Sequence, residues 1–285
     1  MRSSLECLPC FLNHSLAVAD ICRFSREQKE LIAKKTLAKL ADLDFSIPPP
    51  AMAKVIQGFI SDITGIKDPY LKLKKDSTTF ALKLFPLLKE EVSLSEDSFE
   101  TSVRLAIAGN IIDFGVNHNF KLEDVHKVIT DSLSAEIDKH QVKKLKEKIE
   151  SSNKILYIAD NAGEIVFDRL LLENFTNKFI LAVRGFPILN DATRYEASLS
   201  ELPEGLKIID TGDNVPGIIL SNCSKNFVEI FNNCDFIISK GQGNFETLDE
   251  TRKPIFFLFK AKCDVVARKL NVQKGALQII SKNIS

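Results

Sequence analysis

Through the first half of the chain apolar residues recur every three or four positions, the spacing that lays them along one face of an α-helix. Leu8, Phe11, Leu12, Leu16 and Ala19 keep it, then Leu31, Ile32, Leu37 and Leu40, then Leu82, Phe85 and Leu88 after a polar start at Asp76. Pro48, Pro49 and Pro50 ahead of Ala51 predict a helix opening, because a proline in the first turn gives up no intrahelical hydrogen bond. Val103 to Phe114 predicts a buried helix ended by Gly115, Leu122 to Ser134 a further one, and Asp138 to Glu150 a lysine-rich helix with a solvated face.

After Ser151 and Ser152 the period changes. Lys154–Ala159, Phe179–Val183, Leu206–Ile209, Phe236–Ile238 and Pro254–Phe259 are short apolar runs rich in β-branched and aromatic residues, as strands buried on both faces should be. Between them lie the helical stretches Ile165–Phe175, Ala192–Leu199, Ser224–Phe231 and Val265–Leu270, and Ala276–Ile280 predicts an edge strand. Alternation of strand and helix implies an α/β fold, a Rossmann-like doubly wound, mostly parallel sheet. The expected organisation is therefore an all-α N-terminal domain over 1–150 and an α/β sheet domain over 151–285 that carries the site. No repeat, low-complexity tract or long linker separates the halves, so they are expected to pack closely.

Charge narrows the partners. Lys+Arg and Asp+Glu both number 38, and this balance gives no support for a nucleic-acid partner. No stretch approaches the ~20 apolar residues of a membrane span, and Met1–Ser15 lacks the apolar run and cleavage site of a secretory leader. A cytoplasmic location with no membrane partner is expected, and the six scattered cysteines fit a reducing compartment.

In an open parallel sheet ligands collect beyond the carboxyl ends of the strands. There the sequence places Asp160 and Asn161, Asn190 and Asp191, Lys240 to Glu246, and Lys260 to Cys263. Two carboxylates and an amide from Asp160, Asn161 and Asp191 would suit a hard divalent ion that leaves positions open for phosphate. Asp and Asn also cap helices, so spacing alone leaves both readings open. Lys240 or Lys260 could set an ammonium over a phosphate, or simply be an exposed lysine beside a strand end. Gly241 and Gly243 would let main-chain N–H groups approach an anion, although glycine in a turn is common. No P-loop and no dinucleotide fingerprint follows a strand, which weakens kinase-like and nicotinamide-enzyme readings.

Cys7 and Cys10 form a single C-x-x-C pair; Cys263 or His14 could complete a second metal site, and a buried helical cysteine pair is the plain alternative. Asn110 and Asp113 are polar positions in an apolar helical stretch, so their face is expected to meet backbone groups or the ligand cleft. The four histidines show no paired spacing, and no Ser-His-Asp arrangement is evident.

Asp160-Asn-Ala-Gly-Glu164, Pro187-Ile-Leu-Asn-Asp-Ala-Thr193, Lys240-Gly-Gln-Gly-Asn-Phe-Glu-Thr-Leu248 and Lys260-Ala-Lys-Cys263, with Cys7-Leu-Pro-Cys10 and Ala108-Gly-Asn-Ile-Ile-Asp113, resemble in order the damage-control phosphatases, formerly a domain family of unknown function. Within them the chain is similar to the subfamily marked by an N-terminal C-x-x-C. The resemblance implies a phosphatase using Mn²⁺, Ni²⁺, Co²⁺ or Mg²⁺ held by Asp160, Asn161 and Asp191, with a phosphate-binding lysine at Lys260. It also implies pocket positions for Glu164, Asn190, Lys240, Gly241, Gly243, Glu246, Asn110 and Asp113. The substrates it implies are small phosphorylated metabolites: damaged purine nucleotides or their precursors, or sugar phosphates. Two alternatives stand beside it, an S-adenosylmethionine-dependent methyltransferase and a non-catalytic phosphometabolite-binding protein. The first is poorly met, because Val183 is followed by Arg184 where an acidic residue would be expected.

Overall fold

The computed structural model describes residues 1–109 and 122–284. Among the described residues seven helices come first: α1 (Cys7–Ile21), α2 (Arg26–Ala41), α3 (Pro49–Thr64), α4 (Leu71–Leu94), α5 (Ser98–Ala108), α6 (Leu122–Ser134) and α7 (Lys139–Ser151). Then follow β1 (Ile155–Ile158), α8 (Glu164–Leu172), β2 (Phe179–Val183), α9 (Arg194–Leu199), β3 (Lys207–Asp210), α10 (Lys225–Asn233), β4 (Phe236–Lys240), α11 (Gln242–Leu248), β5 (Ile255–Lys260), α12 (Asp264–Leu270) and β6 (Leu277–Lys282). Local chemistry sets many of the ends. Ser25 and Gln28 form a capping box at α2, prolines occupy the first turn of α3, and Gly65 closes that helix at φ 74°. The predicted Val103–Phe114 helix begins earlier, because Asp97 accepts hydrogen bonds from the Phe99 and Glu100 amides and starts α5 there.

The sheet runs β3-β2-β1-β4-β5-β6, with every pairing parallel except β5–β6. This is the doubly wound order, and the winding reverses between β1 and β4. β1 is buried at every position, so it shows no polar alternation. On one face Phe99, Val103 and Ile107 of α5 and Leu145 and Ile149 of α7 pack on Tyr157, Leu181, Ile238, Phe256 and Leu258. On the other, Phe227 and Phe231 of α10, Phe245 of α11 and Val266 of α12 pack on Leu156, Ile158, Ile237 and Phe257. The change of element type near residue 150 is therefore crossed by a continuous core, in which α5 and α7 serve as sheet-covering helices. A separate apolar cluster from α1, α2 and α3, including Phe11, Ile32 and Ile56, makes the N-terminal lobe. Among the described residues no helix is long and apolar enough to cross a membrane.

Candidate active site

The reversal point puts the loop after β1 beside the loop after β4, the crevice where doubly wound sheets bind ligands. Residues 191–193 enter that crevice just after a turn and bridge to the loops after β1 and β2. The Ala192 amide donates to the Asp160 carbonyl at 2.8 Å, the Ala162 amide to the Asn190 carbonyl at 2.9 Å, and the Arg184 amide to the Ala192 carbonyl at 2.8 Å. Asn161 and Asp191 thus face each other across an isolated antiparallel bridge, and main-chain bonds on either side bring Asp160, Asn161 and Asp191 together.

α3 holds the remaining wall in place. Gln57 Nε2 donates to the Pro187 carbonyl at 3.0 Å, its Oε1 accepts from the Leu189 amide at 2.9 Å, and Lys54 pairs with Asp213. The result is a cavity of about 370 Å³ between the N-terminal lobe and the sheet edge. Asp160, Asn161, Asn190, Asp191, Gly243 and Glu246 line its sheet side. Phe11, His14, Pro49, Pro50 and Ala53 line the helical side, and Cys7, Cys10, Lys262 and Cys263 complete its rim.

Burial pushes Asp191 up to about 7, with Asp160 adding to the rise, while the Arg184 guanidinium pulls the other way. Glu246 is also pushed up to about 7 by burial, helped by Asp160 and Asp249 and opposed by a 2.7 Å hydrogen bond from Gln242. Several carboxyl groups crowded around one buried volume make a place where a cation would relieve repulsion. In the chelator-treated protein Glu246 binds more protons folded than unfolded between about 4.5 and about 7. Its contribution to stability is therefore complete below the unfolded value and is lost as pH rises through about 7. A Glu246→Gln variant is expected to gain stability relative to the parent chain as pH rises across that window, read as the difference in urea midpoints. A pH-independent difference would rule this out.

Several expected site residues lie elsewhere. Lys240 is fully buried beneath the crevice, where its ammonium donates to the Ala106 carbonyl at 2.9 Å, Glu164 Oε1 at 2.5 Å and Asp168 Oδ1 at 2.6 Å. Its three N–H donors are all spent, so it offers no donor to a phosphate. Glu164 is buried with it and does not line the cavity. Lys260 is also absent from the lining, and its side chain lies against Gly275. Lys262, two residues on, is the lysine at the cavity, and its amide donates to Gln242 Oε1 at 2.8 Å. Gly241 sits at φ 81° directly against the Asp160 carboxylate, behind the cavity lining. Asn110 and Asp113 fall outside the described residues.

Cys7, Cys10 and Cys263 share the rim without forming a closed ligand set. Among the described residues no three His, Cys, Asp or Glu side chains are grouped to hold a metal. In the Asp160–Asn161–Asp191 set two donors are carboxylates and the third is an amide. The Cys10 thiol is pushed up by desolvation and by its neighbours Cys7, Cys263 and Glu246, the reverse of what an activated thiolate needs. Sequence reasoning missed Arg184. It is buried and donates through Nε to Asp191 at 2.6 Å, through Nη1 to the Gly217 carbonyl at 3.0 Å and through Nη2 to Asn244 Oδ1 at 3.0 Å. The signal was a charged residue directly after a strand buried at every position.

The sheet order and the oxygen-rich crevice at its reversal point define a Rossmann-like α/β protein with a cavity under a helical lobe. The damage-control phosphatase ARMT1-like domain matches residues 3–277, and the chain belongs to that family. It is 36% identical over 285 residues to the damage-control phosphatase PH1575 of Pyrococcus horikoshii, covering 97% of each chain. It is 32% identical over 282 residues to a damage-control phosphatase of Archaeoglobus fulgidus, covering 96% of this chain and 97% of that one. An uncharacterized protein of Methanocaldococcus jannaschii, MJ0202, is 37% identical over 284 residues, covering 95% of this chain and 92% of its own. The crystal structure of PH1575, a DUF89 family protein, superposes with a TM-score of 0.89 at 36% identity over 99% of both chains.

Proposed function

We propose that the chain is a divalent-metal-dependent phosphatase that hydrolyses small phosphomonoesters at the crevice between β1 and β4. The observation that carries this reading is the main-chain bridge that sets Asn161 against Asp191 beside Asp160, in a cavity with one lysine at its rim. Two carboxylates and an amide carbonyl are the oxygen donors that Mg²⁺ or Mn²⁺ prefers, and such an ion would offset the repulsion that Asp160 adds to the rise burial imposes on Asp191. Asp160, Asn161 and Asp191 would hold the ion, which when bound supplies Lewis-acid polarisation of a phosphoryl oxygen.

The protein's own groups account for the rest. Lys262 offers an ammonium to the anionic oxygens from the rim, and Phe11, Pro49, Pro50 and Leu189 give the non-phosphate part of the substrate an apolar wall. Arg184 holds Asp191 from behind through Nε. A damaged purine nucleotide, one of its precursors or a sugar phosphate would fit this division of the cavity into a charged and an apolar side.

The test is phosphate release by chelator-treated protein from a panel of nucleotide and sugar phosphates, with Mn²⁺, Mg²⁺, Co²⁺ or Ni²⁺ added singly. Release that needs the added ion is expected; release unaffected by chelation, or none from any ester, would reject the reading. In the same assay Lys262→Ala is expected to lower kcat/KM by about 10²-fold, the usual effect of removing one donor to developing charge. Lys260→Ala should change it only a few-fold, and the opposite ranking would return the phosphate-binding role to Lys260.

A further inference from the structure

Glu164, Asp168, Lys240 and Tyr157 form a buried polar group beneath the crevice. Lys240 comes from β4, which lies parallel to β1 with Ser239 opposite Ile158, and its ammonium therefore sits directly under the loop that begins at Asp160. Glu164 and Asp168 are one turn apart on α8 and both accept from that ammonium. Tyr157 donates to Asp168 Oδ1 at 2.7 Å, which fixes the second carboxylate. Glu164 Oε2 remains directed upward, where it accepts from Asn161 Nδ2 at 3.3 Å.

An asparagine amide is nearly symmetric in shape, and only its partners decide which end faces a ligand. An ionised carboxylate accepts and never donates, so a glutamate at this point can be satisfied only by the NH₂ end. With Nδ2 held by Glu164, the carbonyl end of Asn161 is the end left for the cavity that Asn161 lines. The Lys240 ammonium lies 2.5 Å from Glu164 Oε1 and pairs with it as a carboxylate.

We infer that Glu164 is a positioning residue: held by Lys240, it fixes the Asn161 amide with its oxygen toward the ion-binding position, and neither Glu164 nor Lys240 touches substrate. The inference rests on the metal-site reading proposed above. It gives this glutamate and lysine a task that neither their sequence context nor the cavity lining assigns to them.

The experiment measures Mn²⁺ affinity of the full chain by calorimetry and electron paramagnetic resonance, with a thermal melt of each variant as a folding control. Glu164→Gln is expected to weaken Mn²⁺ binding about 10- to 100-fold, the usual effect of losing a group that orients a ligand. Asn161→Asp sets two carboxylates against each other and should weaken binding as well. The double variant Asn161→Asp/Glu164→Gln reverses the hydrogen bond, with the amide introduced at position 164 now donating to the carboxylate introduced at 161. It is expected to bind at least about tenfold tighter than Asn161→Asp alone. A merely structural role for Glu164 would not produce that recovery. Glu164→Gln within twofold of the parent chain, or a double variant no better than Asn161→Asp, overturns the inference while leaving the metal site standing. A parent chain with no Mn²⁺ affinity overturns both.

Discussion

Replacing Arg184 with methionine is expected to destabilise the protein by about 3–5 kcal/mol, the usual cost of removing one partner from a buried ion pair. The arginine side chain is 1% exposed and that of Asp191 3% exposed, so water cannot take over the lost contacts. Three acceptors would be stranded together: Asp191 Oδ2, the Gly217 carbonyl and Asn244 Oδ1. Asn244 in turn donates to the Ala159 carbonyl at 3.2 Å and the Lys240 carbonyl at 2.6 Å, so the damage reaches the loops after β1 and β4. Asp191, already pushed up to about 7 by burial, would lose the cation that holds it down and become neutral at physiological pH. Urea unfolding should show the loss of stability, and metal titration a parallel loss of affinity. Arg184→Lys keeps the charge but not the planar fork, so it should recover part of the stability. A methionine variant within about 1 kcal/mol of the parent chain would mean that the guanidinium's contacts contribute little net stability.

The strands were legible because burial on both faces leaves continuous apolar runs, and the edge strand β6 extends the predicted 276–280 segment to Lys282. α11 was hidden, because Gly241-Gln-Gly-Asn reads as a turn, yet the helix starts at Gln242 directly after a glycine at φ 81°. Asp160, Asn161 and Asp191 follow strand ends as the sequence places them, Asn190 and Glu246 are pocket positions that the resemblance implies, and all five line one cavity. Placement by strand end works for short side chains, which stay where the backbone puts them. It fails for lysine and arginine, whose reach lets the acceptors nearby decide where the charge ends up. Lys240 turns down to two buried carboxylates, Arg184 turns in to Asp191, and Lys260 and Lys262 part company because one lies on β5 and the other beyond it. None of those acceptors is close in sequence to its lysine or arginine except Asp191, seven residues from Arg184.

Gly241→Ala is expected to remove most of the metal-dependent activity, about 10²-fold or more, while leaving the fold in place. A Cβ at this position would come within 2.0 Å of Asp160 Oδ2 and 2.1 Å of its Cγ, well inside contact distance. The methyl and the carboxylate cannot share that space, and the carboxylate, at the end of a side chain, is the group that gives way. It would move out of the crevice by an ångström or more, a displacement of the size that costs about 10²-fold when it affects a reacting centre. Backbone strain acts as well, since φ 81° with ψ 153° is a region essentially reserved for glycine, at about 1–3 kcal/mol for another residue. Gly205→Ala separates the two effects: its φ is 82° and nothing lies within 4 Å of where the added methyl would sit, so it carries left-handed strain without a clash and far from the site. Both variants should lose stability in a melt, but only Gly241→Ala should lose Mn²⁺ affinity and phosphate release. Equal loss of activity in both would mean that global strain, and not the displacement of Asp160, is responsible.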